Sequence, residues 1–453
     1  MANDLIPGLL QQALSTLEAE FAGLPPAETA IDEPAVARVL DAVARRMGNN
    51  YPYFHPLYAG QMLKPPHPVA RAAYALAMKI NPNNHALDGG RESSAMEVEA
   101  VREIAAMFGW PQQNGGFLGH LTSSGTFANL EALWMAGQLA PGKRIVGSSQ
   151  AHYTHNRISA VLKLDFSPVA CDNRGRMSLE ALEAELRKGD VGTVVATLGT
   201  TAIGAVDPLD QILAHREKYG FRIHVDGAYG GYFRLIPDLL DEPARRAYAA
   251  MEQADSIVID PHKHGLQPYG CGCILFRDPA VGRFYKHDSP YTYFTSKDLH
   301  LGEISLECSR AGAAAVALWA TQQLLPLVPG GEFACGLAKG RRAALELHRR
   351  LHADSRFQPL AAGPPELDIV VWALRAASPE TASSRAQQVF RRSANRDLHL
   401  ALVQLPRSWF GPSEGTESIS DTVTCLRSVL MKPEHESWLD RIWDRLSEAA
   451  KEN

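Results

Sequence analysis

A lysine flanked by two histidines follows a short apolar run within residues 255–265, Asp-Ser-Ile-Val-Ile-Asp-Pro-His-Lys-His-Gly. The apolar run is typical of a buried strand, so Lys263 is predicted to lie on a loop just beyond a strand end. A lysine amine that is partly desolvated, or lies near other cations, has a lowered pKa and can attack a carbonyl carbon. Taken alone, Lys263 would be interpreted as a solvated lysine in a surface turn.

Three further segments carry side chains that could serve a bound ligand. Asp226 ends another apolar run, and its carboxylate could hold a proton on a heterocyclic nitrogen or belong to an ordinary turn. Residues 121–129, Leu-Thr-Ser-Ser-Gly-Thr-Phe-Ala-Asn, lead into a helix. The helix N-terminus could bind an anion, or the hydroxyl residues could form a plain cap. His152 could stack on a flat ligand or lie in the core.

The elements that must position these side chains alternate along the middle of the chain. Short β-branched runs predict strands at 144–147, 193–198, 222–225, 256–259 and 273–276. Helices are predicted at 126–139, 178–187 and 209–219. This alternation predicts an α/β domain with a mostly parallel central sheet flanked by helices. An anion cradle, a stacking ring, an aspartate and a lysine at the strand ends of one such sheet describe a pyridoxal phosphate site.

Three units are predicted along the chain. Residues 1–80 form an N-terminal helical arm, residues 81–320 the large α/β domain that binds the cofactor, and residues 321–453 a smaller α+β domain. The last unit is assigned because a long helical segment is followed by strand-like runs at 367–374 and 400–404.

Composition excludes several classes of protein. The net charge of 45 − 50 = −5 argues against a dedicated nucleic-acid binder. The longest apolar stretch is about half the length of a membrane span, so no membrane partner is predicted. The six cysteines lack metal-ligand spacing. They predict no metal site and, as free thiols, a reducing compartment, so the protein is expected to be cytoplasmic.

Taken in chain order, the motifs resemble those of the group II pyridoxal-phosphate-dependent amino-acid decarboxylases, a branch of the fold type I superfamily. The matching segments are His55-Pro56, Ser94–Glu97, Thr122–Thr126, His152, Ala196–Thr201, His224–Asp226 with Ala228, His262-Lys263 and Ser309-Arg310. The resemblance covers most of the chain. It implies a fold type I, transferase-like α/β fold and pyridoxal 5'-phosphate as the cofactor.

The resemblance also implies a role for each matching residue. Lys263 would hold the cofactor as a Schiff base, and Asp226 would keep the pyridine nitrogen protonated. His152 would stack on one face of the ring, and Ala228 would pack on the other. The cofactor phosphate would be shared by Ser123, Ser124, Gly125, Thr126 and His262. Either Thr200 or Thr201 would touch the cofactor edge.

Substrate handling is implied in the same way. Arg310 would hold the substrate carboxylate in bidentate geometry, unless it forms a structural salt bridge. In the family a tyrosine of a mobile loop usually returns a proton after CO₂ leaves, and Tyr291 and Tyr293 both qualify here. Fold type I enzymes build their active sites across a dimer interface, so the resemblance implies a homodimer.

The implied activity is decarboxylation of an L-amino acid to the amine and CO₂. Tyr51, Tyr53, Phe54 and Tyr58 could line a pocket for an aromatic substrate or could be structural. An aromatic substrate is favoured over an acidic one. The alternatives are a carbon–carbon lyase similar to the sphingosine-phosphate lyases and a decarboxylation-coupled aldehyde synthase. An inactive scaffold is disfavoured because the lysine, the aspartate and the stacking histidine are all present.

Overall fold

The computed structural model describes residues 2–25, 31–86, 89–111, 116–286, 304–411 and 421–451. Its helices are α1 (Ala2–Glu20), α2 (Glu33–Met47), α3 (Pro68–Ala77), α4 (Arg91–Met107), α5 (Gly125–Leu139), α6 (Thr154–Leu162), α7 (Leu179–Leu186), α8 (Leu209–Tyr219), α9 (Glu242–Ala249), α10 (Gly312–Leu324), α11 (Glu332–Ala353), α12 (Pro379–Ala394) and α13 (His435–Lys451). Its strands are β1 (Leu118–Thr122), β2 (Arg144–Ser148), β3 (Phe166–Val169), β4 (Val191–Thr197), β5 (Arg222–Asp226), β6 (Ser256–Ile259), β7 (Gly272–Phe276), β8 (Phe357–Pro359), β9 (Ile369–Leu374), β10 (Ala401–Pro406) and β11 (Thr422–Val429).

Seven strands form the large sheet, in the order β1-β7-β6-β5-β4-β2-β3. Strands β3, β2, β4, β5 and β6 pair in parallel, whereas β7 runs antiparallel to both β6 and β1. Strands β4, β6 and β7 are buried along their whole length, which is typical of a sheet covered by helices on both faces. The carboxyl ends of β1, β2, β4, β5 and β6 therefore meet at one edge.

The five predicted strands of this sheet are present, and their ends differ from the predicted ones by at most two residues. Two strands were not predicted, β1 and β3. The β1 sequence Leu-Gly-His-Leu-Thr has little β-branched character, and its pairing with β7 places it in the sheet. Tertiary pairing thus overrides a weak local preference at this position.

Four antiparallel strands form a second sheet, in the order β10-β11-β9-β8. Helices α11, α12 and α13 pack with it around a buried core that includes Leu347, Trp372 and Leu426. Another cluster of buried side chains includes residues of both sheets, among them Val225 and Ile369. The unit boundaries near residues 80 and 320 therefore stay predictions.

The large, mostly parallel sheet with flanking helices and the smaller antiparallel sheet confirm the predicted fold class. Within the described ranges, no helix is both long enough and apolar enough to cross a lipid bilayer.

Candidate active site

A cavity of ≈ 210 Å³ lies at the edge where the strand ends of the large sheet meet. The predicted site residues that line it are Ser124, Gly125, Thr126, His152, Thr201, Asp226, Ala228, His262 and Lys263. The lining residues that were not predicted are Met62, Asn129, Thr154, Thr197, Gly199, Tyr229 and Asp260. Residues far apart in the sequence are brought together because they follow different strands of one sheet.

The lysine follows β6 on a short loop. Its Nζ lies 2.9 Å from Oδ2 of Asp260, and its side chain is 22% exposed, so it is reachable from the cavity. The other oxygen of this buried carboxylate, Oδ1, has no hydrogen-bond partner among the described residues. Next to the lysine, His262 donates from Nδ1 to the Cys271 carbonyl oxygen at 2.7 Å. Burial lowers the pKa of His262, so the imidazole is neutral.

Asp226 ends β5 and is 5% exposed. Its Oδ2 accepts a hydrogen bond from Nε2 of His155 at 2.8 Å, and its Oδ1 accepts one from the Ala228 backbone N–H at 3.1 Å. Burial by itself raises the pKa of this carboxyl group. The hydrogen bond and charge of His155, together with the charge of Lys263, outweigh burial and bring the pKa below its ordinary value. Asp226 is therefore an anion at the cavity.

His155 was not predicted from the sequence, yet it contacts the predicted Asp226. It lies at the start of α6, is fully buried, and stacks on Phe166 at a ring-centroid distance of 6.5 Å. Its Nδ1 has no hydrogen-bond partner in the described part of the chain, so the ring serves Asp226 alone. The only signal in the sequence is that His155 lies three residues after His152, just inside the start of α6.

The N-terminus of α5 forms the part of the cavity suited to an anion. Ser124 caps this helix, because its side chain accepts a hydrogen bond from the Phe127 N–H at 3.2 Å. A Cβ atom at Gly125 would lie 2.5 Å from both carboxylate oxygens of Asp260, so only glycine fits at this position. The first N–H groups of a helix have no acceptor within the helix, and together with the helix dipole they attract a phosphate group.

His152 and Ala228 belong to different walls of the cavity, after β2 and β5 respectively. Burial lowers the pKa of His152. Its Nδ1 accepts a hydrogen bond from the Thr154 N–H at 3.3 Å, which leaves the proton of the neutral ring on Nε2. The small side chain of Ala228 leaves space for a flat ligand between these walls.

Several predicted residues lie elsewhere. Ser123 is exposed, and its N–H donates to Oε2 of Glu307 at 2.8 Å. Thr200 is fully buried, and its hydroxyl oxygen accepts a hydrogen bond from the Ala205 N–H at 2.9 Å. Neither of them lines the cavity, and neither do Tyr51, Tyr53, Phe54 and Tyr58. The two predicted proton donors, Tyr291 and Tyr293, lie outside the described residues.

Arg310 does not line the cavity either, and takes part in a buried network behind β1. Its guanidinium pairs with Glu97 and donates to the backbone oxygens of Leu121 at 2.9 Å and Asn84 at 3.0 Å. Glu97 also accepts a hydrogen bond from the Leu121 N–H at 3.0 Å. These contacts hold the end of β1 in place. From there the chain continues into the N-terminus of α5, which is suited to an anion.

The chemical groups at the cavity suit pyridoxal phosphate. A lysine amine, an ionised aspartate, a neutral imidazole and a helix N-terminus correspond to the aldehyde, the ring nitrogen, the ring face and the phosphate of that cofactor. The structure-based comparison agrees on the fold. Rhodiola rosea 4-hydroxyphenylacetaldehyde synthase superposes with a TM-score of 0.77 at 18% identity, over 99% of this chain and 97% of that one.

Two relatives are similar in sequence. The L-tyrosine decarboxylase of Enterococcus faecium is 27% identical over 448 residues, which cover 74% of this chain and 72% of that protein. The L-2,4-diaminobutyrate decarboxylase of Rhizobium meliloti is 32% identical over 324 residues, covering 67% of this chain and 63% of that protein. The model of the pyridoxal-dependent decarboxylase conserved domain matches residues 50–373. The chain therefore belongs to the pyridoxal-dependent decarboxylase family and is a pyridoxal-phosphate-dependent carboxy-lyase.

Proposed function

We propose that this enzyme converts an aromatic L-amino acid to its amine and CO₂, with Lys263 as the residue that carries the cofactor. The observation that carries the proposal is the cavity that places this lysine together with an ionised Asp226. The aromatic substrate is supported by the relative that decarboxylates L-tyrosine. The relative that acts on L-2,4-diaminobutyrate is the reason why the substrate must be tested directly.

Each wall of the cavity has a part in this proposal. When bound, the cofactor supplies an electron sink for the pair of electrons released from the Cα–carboxylate bond. The carboxylate of Asp226 holds a proton on the ring nitrogen, and His155 keeps that carboxylate ionised and oriented. The N-terminus of α5 with Ser124 and Thr126 holds the phosphate, while His152 and Ala228 fix the plane of the ring.

Two further roles belong to the proposal, one at the substrate and one at the end of β1. Tyr291 or Tyr293 returns a proton to Cα after CO₂ has left. Arg310 acts as a positioning residue, since its guanidinium is occupied by Glu97 and backbone carbonyls. We expect Tyr291→Phe and Tyr293→Phe to differ sharply in amine yield. Equal, full activity of both variants would remove these tyrosines from the role of proton donor.

We further propose that the enzyme is a homodimer, with active sites at the interface. Helix α2 has no buried residue, and one of its faces is apolar. That face consists of Val36, Val39, Leu40, Val43 and Met47, which are 46–62% exposed. An apolar stripe of this kind on a helix is normally covered, and a second copy of the chain would cover it with the same stripe. Val39→Glu should lower the mass measured by light scattering toward that of a monomer.

A reducing compartment, and hence the cytoplasm, is the proposed location. All six cysteines are free thiols, and Cys271, Cys273 and Cys425 are buried among apolar side chains. Disulfides would be expected of a protein that folds in an oxidising compartment.

Mass spectrometry of the products tests the activity. Purified protein and pyridoxal phosphate are incubated with a pool of L-amino acids, and Lys263→Ala serves as the matched control. We expect an amine that is lighter by CO₂ than tyrosine, tryptophan or phenylalanine. An amine from diaminobutyrate alone would overturn the aromatic assignment. An aldehyde in place of the amine would indicate an aldehyde synthase, and unchanged amino acids would favour the carbon–carbon lyase.

A further inference from the structure

A second cavity, of ≈ 350 Å³, lies on the other side of the loop that carries the cofactor lysine. His262 and Lys263 line the first cavity, whereas His264 and Leu266 line the second, and the two cavities share no lining residue. Its volume is within the range of about 300–1,000 Å³ that is typical of small-molecule sites. None of the residues that line it takes part in the proposed decarboxylation.

Two lysines line this cavity, the partly exposed Lys64 and the buried Lys432. Lys432 is 3% exposed, and its Nζ donates to the Tyr58 oxygen at 2.6 Å and to the Leu63 oxygen at 3.3 Å. Lys64 makes only long contacts, to the carbonyl oxygens of His264 at 3.4 Å and of Met431 at 3.5 Å. Within the described part of the chain neither ammonium group forms an ion pair with a carboxylate. The cavity therefore holds two lysine amines that are not paired with any carboxylate of the described residues.

The surroundings lower the pKa values of both lysines. Burial lowers the pKa of Lys64 to about 8. Burial and the neighbouring charge of Lys64 lower the pKa of Lys432 to about 7. Asp368 and Glu434 oppose these effects without making contact within ion-pair distance. A bound anion would relieve the repulsion between the two ammonium groups and replace part of their lost hydration.

Apart from Cys335 and Lys339, the other titratable groups around the cavity are neutral histidines and carboxyl groups that lie beyond ion-pair distance of the two lysines. His67 and His264 are neutral, because burial lowers their pKa values. Behind Lys432, the buried His435 is also neutral, with its pKa lowered to about 3. At the mouth, the exposed Glu332, Cys335, Lys339 and Glu434 face water. Burial raises the pKa of Asp368, which lies 3.3 Å from His264 Nε2, to about 6.

The remaining walls of the cavity are apolar and therefore favour a ligand with an apolar part. They are formed by Leu266, Leu325, Phe333, Leu337 and Met431. A hydrated inorganic ion would gain nothing from these side chains, whereas an aryl or alkyl group would bury apolar surface against them. We propose that this cavity is a binding site for a small organic carboxylate, with the carboxylate on Lys64 and Lys432 and the apolar body between the leucine, phenylalanine and methionine walls.

Calorimetric titration of the holoenzyme with phenylacetate tests the proposal, with inorganic phosphate as the second probe. We expect phenylacetate to bind more tightly than phosphate, and binding to weaken by at least about tenfold between about pH 6.5 and about pH 9 as Lys432 and then Lys64 lose their protons. Lys64→Met should weaken binding by at least about tenfold. Lys339→Met, at the exposed mouth, is the matched control and should leave the affinity unchanged.

A second pair of variants separates this site from the active site. His152→Ala alters the first cavity and should retain phenylacetate binding, whereas Cys335→Trp should block the mouth of the second cavity without touching its lysines. The blocked variant keeps the test valid if Lys64→Met does not fold. Loss of binding in His152→Ala alone, or unchanged binding in both Lys64→Met and Cys335→Trp, would overturn the proposal. Phosphate binding as tight as that of phenylacetate would also overturn it.

Discussion

Two buried aspartates on either side of Thr197 differ in their charge. Asp226 is its partner in the β4–β5 register, and Asp207 accepts a hydrogen bond from its N–H at 2.8 Å. Asp207 also accepts one from the Met177 N–H at 2.7 Å, yet burial raises its pKa to about 7. Asp226 has one backbone donor and one histidine donor, and its pKa is lowered.

The comparison of the two aspartates shows which neighbours keep a buried carboxyl group ionised. Backbone N–H groups supply hydrogen bonds without net charge, and at Asp207 they do not compensate the cost of burying an anion. At Asp226 the side-chain hydrogen bond from His155, together with the nearby Lys263, outweighs that cost and favours the ionised form. A carboxylate that must hold a proton on another molecule has to be ionised itself. In the proposed function, the hydrogen bond from His155 therefore serves to keep Asp226 ionised.

The largest effect is expected from removing the carboxylate of Asp226, which is proposed to hold a proton on the ring nitrogen of the cofactor. Asp226→Ala should lower kcat by about 10²–10⁴-fold, because the ring nitrogen of the cofactor loses the group that keeps it protonated. Asp207→Asn is the matched control, since its carboxyl group does not line the cavity, and its kcat should be nearly unchanged. Steady-state kinetics at saturating cofactor measure both values. A comparable loss of kcat in the two variants would mean that the contrast between the aspartates has no functional meaning.

The sequence predicts the site residues that follow apolar runs better than it predicts contacts between distant parts of the chain. Lys263, Asp226 and His152 each follow an apolar run, and parallel strands align such positions at one edge, so their meeting was predictable. Gly125 belongs to the same group, because it opens a helix after a strand. The role of Asp260 was not predictable, since its contact with Gly125 joins two strand ends that are far apart in the sequence.

The residues placed elsewhere show the limit of motif matching. Ser123 and Ser124 are adjacent and chemically alike, yet only the second turns toward the cavity, because it caps α5. Thr200 and Thr201 differ in the same way, since the Thr200 hydroxyl is occupied by the Ala205 N–H. One-residue differences in side-chain direction depend on tertiary contacts that a local pattern does not contain.

A smaller effect is expected at His155. His155→Phe removes the donor and the charge, so the pKa of Asp226 should rise, and the acid limb of the kcat–pH profile should move upward by about one pH unit or more. His155→Gln retains a donor without the charge and should give a smaller shift. The pH profile and the dissociation constant for pyridoxal phosphate measure the effect. An unchanged acid limb in His155→Phe would show that Asp226 is ionised without its histidine.

The smallest effect concerns stability, and it tests the other aspartate. The pKa of Asp207 is raised above its unfolded value, so the folded state retains a proton that the unfolded state releases. Its contribution to the free energy of unfolding is therefore fully present below about pH 4 and is lost as the pH rises through about 7. Asp226 has a lowered pKa, so its contribution is present above about pH 4 and changes only at lower pH. Of these two aspartates, only Asp207 is therefore expected to change the free energy of unfolding between about pH 4 and about pH 7.

Denaturant unfolding of wild type and Asp207→Asn across this range isolates the effect. The stability of the variant relative to wild type should increase with pH, with a slope of up to ~1.4 kcal/mol per pH unit, because asparagine cannot ionise. Groups common to both proteins, such as Asp368, cancel in the difference. A flat difference would mean that two backbone N–H groups are sufficient to keep a buried carboxylate ionised. His155 would then be needed only for the orientation of Asp226, and its charge would have no separate role.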